Sequence, residues 1–490
     1  MPGIRGIFHS EKLNSFHKTK IQYEIKDIMI YMVEIASIYY ILASAGIVIG
    51  IIYTFKEKYS LNFYEIFVNI LDDIGSLIHG GSGFRLKYIN LTTLDKKDTE
   101  DIGYILEIIK NNRKKVLIVG DVMLDHVMYC EVTGLEKSQK HNVDEDFTFT
   151  CKERTTMGGA AHVAYSCSTL SDVTLLGVIG TDSQGDKLIE VSKFELSDKG
   201  TADFYREKDF ITTTKMYFDC SKKNATKQDK STLIRFNREM SGNDGKKVIF
   251  KDALDEKKKL VGANHYLVQK FKDHIQNANC VVFKDHQKGF LSNEYLKTII
   301  PIVNEKINSD PENFFVFIDP KYDWDKFGDL TKIDAILPNI KEAAAGIFPI
   351  DTQQGKKEIK KREMMQSLKK SDLKELSYKF SRSVQCFGIT KGKNGAILFR
   401  SSNSTVLSVP AVLSNKESER SEIGCGDVFD AYFIACMMNK EILIAKFGEE
   451  QFYYYSLRLA NQAAGLANET CISEIIKPEK VCSAVSCRKN

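Results

Sequence analysis

Among its eleven cysteines the sequence has no C-x-x-C pair and no Cys/His pairing at metal-ligand spacing, so neither a disulfide framework nor a zinc site is indicated. That usage fits a reducing compartment. A concentrated basic block is also missing. The 69 basic and 65 acidic side chains leave a formal charge of +4, the lysines are scattered, and no nucleic-acid partner is expected. No repeat of fixed period appears, so a repeat architecture is not expected either. What is present is a globular composition, 43% hydrophobic and 27% charged, in 490 residues. That length accommodates one large α/β unit and an extension.

Residues 1–112 read as a mostly helical extension. Within it, "IASIYYILASAGIVIGIIYTF" (35–55) carries no charge and is long enough to cross a bilayer as a helix. Gly46 and Gly50 stand in a GxxxG spacing that permits close helix contact. Ala36, Ser37, Ala43, Ser44 and Ala45 suit a buried core helix equally well, and both readings stand. Lysines on both sides (Lys18, Lys20, Lys26; Lys56, Lys58) leave the segment without an orienting charge bias. It begins too far into the chain for a cleaved leader. "HGGSGF" has no Lys-Ser/Thr after it and reads as a turn rather than a phosphate loop.

From residue 113 the texture changes. "KVLIVG", "VTLLGVIG", "CVVFKD", "FFVFIDP", "DAILPN" and "CFGIT" read as buried strands, separated by helical stretches such as "GAAHVAYSCSTLS" and "LKELSYKFS". Alternating strands and helices predict an α/β fold, a doubly wound and mainly parallel sheet covered on both faces. Ligands in such folds sit at the carboxyl ends of the strands. "TTTKMYFDC" and "STLIRFNRE" alternate apolar and polar residues without a helix between them, which predicts a small β lid. "KKEIKKREMMQSLKKSDLKE" reads as a solvated basic helical surface.

Three stretches carry chemistry. In "SEIGCGDVFDAYF", Gly424, Cys425 and Gly426 would open a helix with exposed N–H groups that favour an anion. Asp427 would sit in its first turn, in reach of a hydroxyl proton. N-capping by the aspartate explains the same letters. In residues 157–186, Gly158 and Gly159 open a helix, and Gly177, Gly180, Asp182 and Gly185 follow at a strand end, where glycine lets a ligand approach the backbone. In "GDVMLD", Asp121 and Asp125 lie just past a strand, placed either to bind hydroxyls or to cap the turn.

Taken in order, "VGDVMLD", "GGAAHVA", "TLLGVIGTD", "TTTKMYF", "TLIRFNRE", "KDHQKGFL", "FIDPK", "LPNIKEA", "ITKGKNGAIL", "GCGD" and "ANQAAG" resemble the ribokinase-like (PfkB) carbohydrate kinases over about residues 114 to 478. Within that family they most resemble the kinase domain of the bacterial bifunctional heptose-phosphate kinase/adenylyltransferases. The resemblance implies ATP-dependent phosphorylation of a sugar or sugar phosphate, in the heptose branch at the anomeric hydroxyl of a heptose 7-phosphate, with Mg²⁺. It implies Asp427 as catalytic base and Gly424, Cys425 and Gly426 as the anion hole. It further implies Asp125, Gly158, Gly159 and His162 at the sugar, and Asn339, Glu342, Thr390, Gly392, Gly395 and Asn461 at the nucleotide. Asn339 and Glu342 would meet the metal through water. Asp285, Lys288, Asp319 and Lys321 fall in matching motifs without an implied role.

The pattern breaks in several places. His162 stands where the family carries Asn, Ser421 where it commonly carries Asp, and "GLEKSQKHNVDEDF" replaces a proline-rich substrate loop. No H-x-G-H motif for the second, adenylyltransferase activity occurs. Three readings follow: a heptose-phosphate kinase, a kinase for another small sugar or nucleoside, or a catalytically silent, membrane-tethered sugar- or nucleotide-binding protein. A cytoplasmic kinase domain is expected in each, facing the cytosol if residues 35–55 anchor the chain, and a homodimer is compatible with all three.

Overall fold

In a computed structural model of the chain, the residues described are 87–90, 96–136, 146–222, 232–249, 262–380, 383–411, 423–469 and 473–487. The apolar segment 35–55, "HGGSGF" and Ser421 lie outside them. Among the described residues no helix is long and apolar enough to cross a membrane.

The described residues form fourteen strands: β1 (Lys87–Asn90), β2 (Lys115–Gly120), β3 (Val122–Glu136), β4 (Asp146–Gly159), β5 (Asp172–Gly180), β6 (Gly200–Glu207) and β7 (Thr214–Lys222), then β8 (Thr232–Arg238), β9 (Cys280–Lys284), β10 (Phe315–Asp319), β11 (Ile333–Ile336), β12 (Val384–Thr390), β13 (Ala396–Arg400) and β14 (Thr405–Val409). Ten form one sheet in the order β1-β14-β13-β12-β11-β10-β9-β2-β5-β6. Every pair in it is parallel except the two that involve β13.

Both faces of this sheet are covered, and the strand sequences show why. Val116 and Ile118 of β2 enter one apolar cluster, Leu117 and Val119 the other. In β9, Cys280 and Val282 divide from Val281 and Phe283 in the same way. A strand with no solvent face needs apolar residues at every position, hence the unbroken runs in the sequence. Helices Ala160–Ser168, Cys425–Met438 and Glu449–Asn468 supply one cluster, and Gly262–Ile275, Asn293–Ser309 and Ile340–Ile347 the other.

The expected lid is a four-stranded sheet, β4-β3-β7-β8. Half of it escapes the sequence reading, because β3 and β4 mix polar and apolar residues and carry no unbroken apolar run. Cys130 on β3 is disulfide-bonded, a bond that cysteine spacing does not announce.

The strand–helix unit begins before residue 113. Strand β1 pairs with β14, and helix Lys96–Asn111 buries Ile102, Ile105, Leu106 and Ile109 in the core. Tyr454 and Tyr455 donate their hydroxyls to Asp98 and Asp101 on that helix. The basic stretch is likewise not one solvated helix. It breaks at Gln366, in the left-handed region at φ 49°, and Arg362 is buried against Asp372 and Glu358.

Candidate active site

Strands β2, β9 and β10 run parallel, so their carboxyl ends share one edge, and helix Cys425–Met438 starts over that edge. Residues Val428 to Met438 are all buried, which fixes the helix as an interior element. Its N-cap is Gly424 at φ 87°, a residue with no side chain to cap the first-turn amides. Asp427 belongs to the first turn and is not the N-cap, which removes the capping explanation of the motif.

The Asp427 carboxylate is gripped from two sides. His162 donates Nδ1–H to Oδ2 at 2.9 Å, and the Lys284 ammonium lies 2.8 Å from Oδ1. Burial alone would raise the pKa of Asp427, but Lys284 and His162 outweigh it and hold the carboxyl far below the usual carboxylate range. Burial opposes the charge on both partners as well. For His162, the Asp427 hydrogen bond reverses the sign and its pKa is raised; for Lys284, Asp427 and Asp430 do the same. The contacts thus favour the ionised form of all three groups.

On the lid side, Asp125 stands in register with Thr156 of β4 and Lys215 of β7. Its Oδ2 accepts from the Ser473 hydroxyl at 2.8 Å, while Oδ1 is buried without a hydrogen-bond partner among the described residues. Burial raises the pKa of this carboxyl, with Lys215 and Ser473 opposing. Gly158 lies directly against the Asp125 carboxylate, where any side chain would collide with it. Gly159 is the N-cap of helix Ala160–Ser168 at φ 59°. His162 Nε2 is also buried and has no hydrogen-bond partner among the described residues. Buried polar atoms are normally satisfied. An orphan acceptor and an orphan ring nitrogen beside one carboxylate therefore mark a place for a hydroxyl-bearing ligand.

On the other side of the helix start lies a cleft of about 540 Å³. It gathers Asn339, Thr390, Gly392, Gly395 and Asn461 with Cys425 and Gly426. Asn339 and Thr390 meet through a backbone bridge between the ends of neighbouring strands. Gly392 and Gly395 have φ of 52° and 85°, and at Gly395 a side chain would also run into the Val409 carbonyl, which keeps that position to glycine. The Asn461 amide donates to the Pro410 carbonyl at 2.9 Å. Glu342 stands behind the cleft: Oε2 accepts from Asn339 N–H at 3.0 Å in a capping box, and Oε1 pairs with Lys321 at 2.9 Å. An amide oxygen and a carboxylate are the donor type that a hard divalent cation takes, directly or through water.

Other singled-out residues do structural work. The Asp121 carboxylate accepts three backbone N–H groups, from His286, Lys288 and Phe290, and burial with Asp285 nearby pushes its pKa up to about 6. Asp182 caps helix Ser183–Leu196 and ties it to Thr212 and Arg238 at the lid's base. Asp285 pairs with Lys326, and Lys288 with Glu239. Asp319 pairs with Lys284.

Sequence reasoning passed over Lys284, Asp430, Lys215 and Ser473. Lys284 ends a predicted strand, and Asp430 lies one turn beyond Asp427, so both were reachable from strand-end and i,i+3 rules. Ser473 lies far from Asp125 in the chain, and no local pattern marks it.

No family model matches the chain. It is 27% identical to the bifunctional protein HldE of Campylobacter jejuni strain RM1221 over 365 residues, covering 74% of this chain and 62% of the relative. With HldE of Coxiella burnetii it shares 25% identity over 364 residues, 72% of this chain and 60% of the relative. With the first such relative, from C. jejuni subsp. doylei, the match spans 42% of the relative's length. The solved ribokinase of Giardia lamblia superposes with a TM-score of 0.51 at 15% identity, covering 77% of this chain and 100% of that one. The chain carries the ribokinase-like carbohydrate-kinase fold and is a distant homologue of the HldE bifunctional proteins.

Proposed function

We propose that this chain transfers the γ-phosphoryl group of ATP to a hydroxyl of a sugar or sugar phosphate, with a heptose 7-phosphate the first acceptor to test. The observation that carries the reading is the position of Asp427. It lies in the first turn of a buried helix whose start borders the cleft of Thr390, Gly395 and Asn461 on one side, and its His162 partner leads to the orphaned Asp125 Oδ1 on the other.

Phosphoryl transfer passes through a loose transition state, so positioning and charge stabilisation matter more than base strength. Asp427 is a weak base in its resting ion pairs, yet each carboxylate oxygen keeps a second lone pair for the acceptor hydroxyl. It orients that hydroxyl and takes the proton late, as the new P–O bond acidifies it. The amides at Cys425 and Gly426 face the migrating group. Asp125 and His162 bind the acceptor's other hydroxyls. Mg²⁺, met through water by Asn339 and Glu342, would neutralise phosphate charge.

The test is a screen of the purified protein with ATP against heptose phosphates, hexose phosphates, pentoses and nucleosides, reading ADP release and product by phosphorus NMR. One acceptor class turned over, with loss of turnover in excess chelator, supports the proposal. No acceptor turned over, or full activity in chelator, contradicts it. One observation favours the silent binding reading instead: Lys284 and His162 already occupy Asp427. That reading predicts saturable ATP or sugar binding by calorimetry without turnover.

A further inference from the structure

The carboxyl edge of the sheet holds an arrangement that neither the motif pattern nor the proposed transfer accounts for. Asp319 at the end of β10, with Asp427 and Asp430 on successive turns of the Cys425–Met438 helix, brings three carboxylates together with oxygens within 4.8 Å of one another. Asp319 and Asp430 are buried. Three such groups repel one another and are the donor type that hard divalent cations take. Instead, the side chain of Lys284, the last residue of β9, enters the cluster. Its ammonium pairs with Asp319, lies 2.8 Å from Asp427 and 3.9 Å from Asp430, and is buried like Asp319 and Asp430. An ammonium has three N–H donors, and here it faces three carboxylates.

We propose that Lys284 is a built-in counter-ion and a positioning residue: it orients Asp427 from the sheet side and occupies the place where Asp319, Asp427 and Asp430 would otherwise collect a divalent cation. Its role in positioning rests on the reading of Asp427 as the reacting carboxylate, whereas its exclusion of a metal does not. A lysine tethered to β9 cannot exchange with solvent ions, so the Asp427 side chain keeps one orientation whatever the free metal concentration. The only metal the transfer then requires is the one that accompanies the nucleotide.

The experiment uses the full chain without nucleotide and Mn²⁺ alone as the probe, followed by electron paramagnetic resonance. Wild type and K284R are expected to show no Mn²⁺ site at the trio. K284A is expected to gain one site per chain, binding at least about tenfold more tightly than anything in wild type, and K284A/D430N is expected to lose it. K284M is measured in parallel because it keeps the packing of the lysine stem while removing the charge. A folded K284A or K284M that gains no site, or a wild type that binds Mn²⁺ equally well, overturns the proposal.

Turnover supplies the second readout. In K284A, kcat is expected to fall about a hundredfold with the KM for ATP changed less than about threefold, K284R is expected to recover part of the loss, and added Mn²⁺ to recover part of it in K284A. A uniform loss that neither arginine nor Mn²⁺ relieves contradicts the positioning role. A wild type inactive on every acceptor defeats the kinase reading while the Mn²⁺ titration still decides whether Lys284 excludes a metal.

Discussion

Gly424 and Gly426 look equivalent in the sequence, but the structure separates them. Gly424 has φ 87°, and a methyl group built on it would lie 2.8 Å from His162 Cε1. Gly426 has an ordinary φ, and a methyl there meets nothing within 4 Å. In G424A, the left-handed backbone costs about 1–2 kcal/mol. Relieving the contact requires the His162 ring to move by roughly 1 Å, at a further cost of about 1–3 kcal/mol. The 2.9 Å hydrogen bond from that ring to Asp427 moves with it. A displacement of this size at a reacting group costs about a hundredfold in rate. Gly424 does not line the cleft proposed for the nucleotide, so the KM for ATP should hold. G426A should gain about 0.5–1 kcal/mol from the helix and lose ATP affinity, because Gly426 does line the cleft. The assays are urea unfolding and steady-state turnover on the acceptor found in the screen. Equal effects of the two substitutions, or a G424A enzyme with full kcat, would refute the reasoning.

His162 titrates with its pKa raised by Asp427, so its contribution to stability is complete below its unfolded value of about 6.5 and lost as pH rises through the folded value. Urea midpoints of wild type should therefore fall as pH rises from about 6.5 through the folded value; H162N should remove that component of the slope, and an unchanged slope would reject the ion pair. D121A removes a carboxylate that holds three backbone N–H groups and should cost about 3 kcal/mol in unfolding experiments, without a selective loss of sugar binding. A D121A protein of wild-type stability with a large rise in acceptor KM would return Asp121 to the sugar site.

The sheet was legible because burial on both faces imposes uninterrupted apolar runs, as in "KVLIVG" and "FFVFID". Long strands β3 and β4 were not, because they mix polar and apolar residues and present no unbroken apolar run. The candidate site was legible where the backbone requires glycine, at Gly159, Gly395 and Gly424, since backbone geometry leaves a mark in single letters. It was not legible where it depends on charge brought together from distant elements. Nothing near Asp427 in the chain announces Lys284 or His162 as its partners, and Asp121 and Asp125, four residues apart, divide into a loop anchor and an open acceptor only once the fold places their neighbours.

The most direct measurement of the central claim is turnover by D427N alongside calorimetric ATP binding and a folding check. Replacing the carboxylate leaves the Lys284 and His162 charges without their shared anion, so a stability loss of up to about 3–5 kcal/mol is expected and must be measured separately. The account predicts a folded protein that binds ATP within about threefold of wild type and transfers phosphoryl groups at least about a thousandfold more slowly. A D427N protein that phosphorylates its acceptor at the wild-type rate would contradict it.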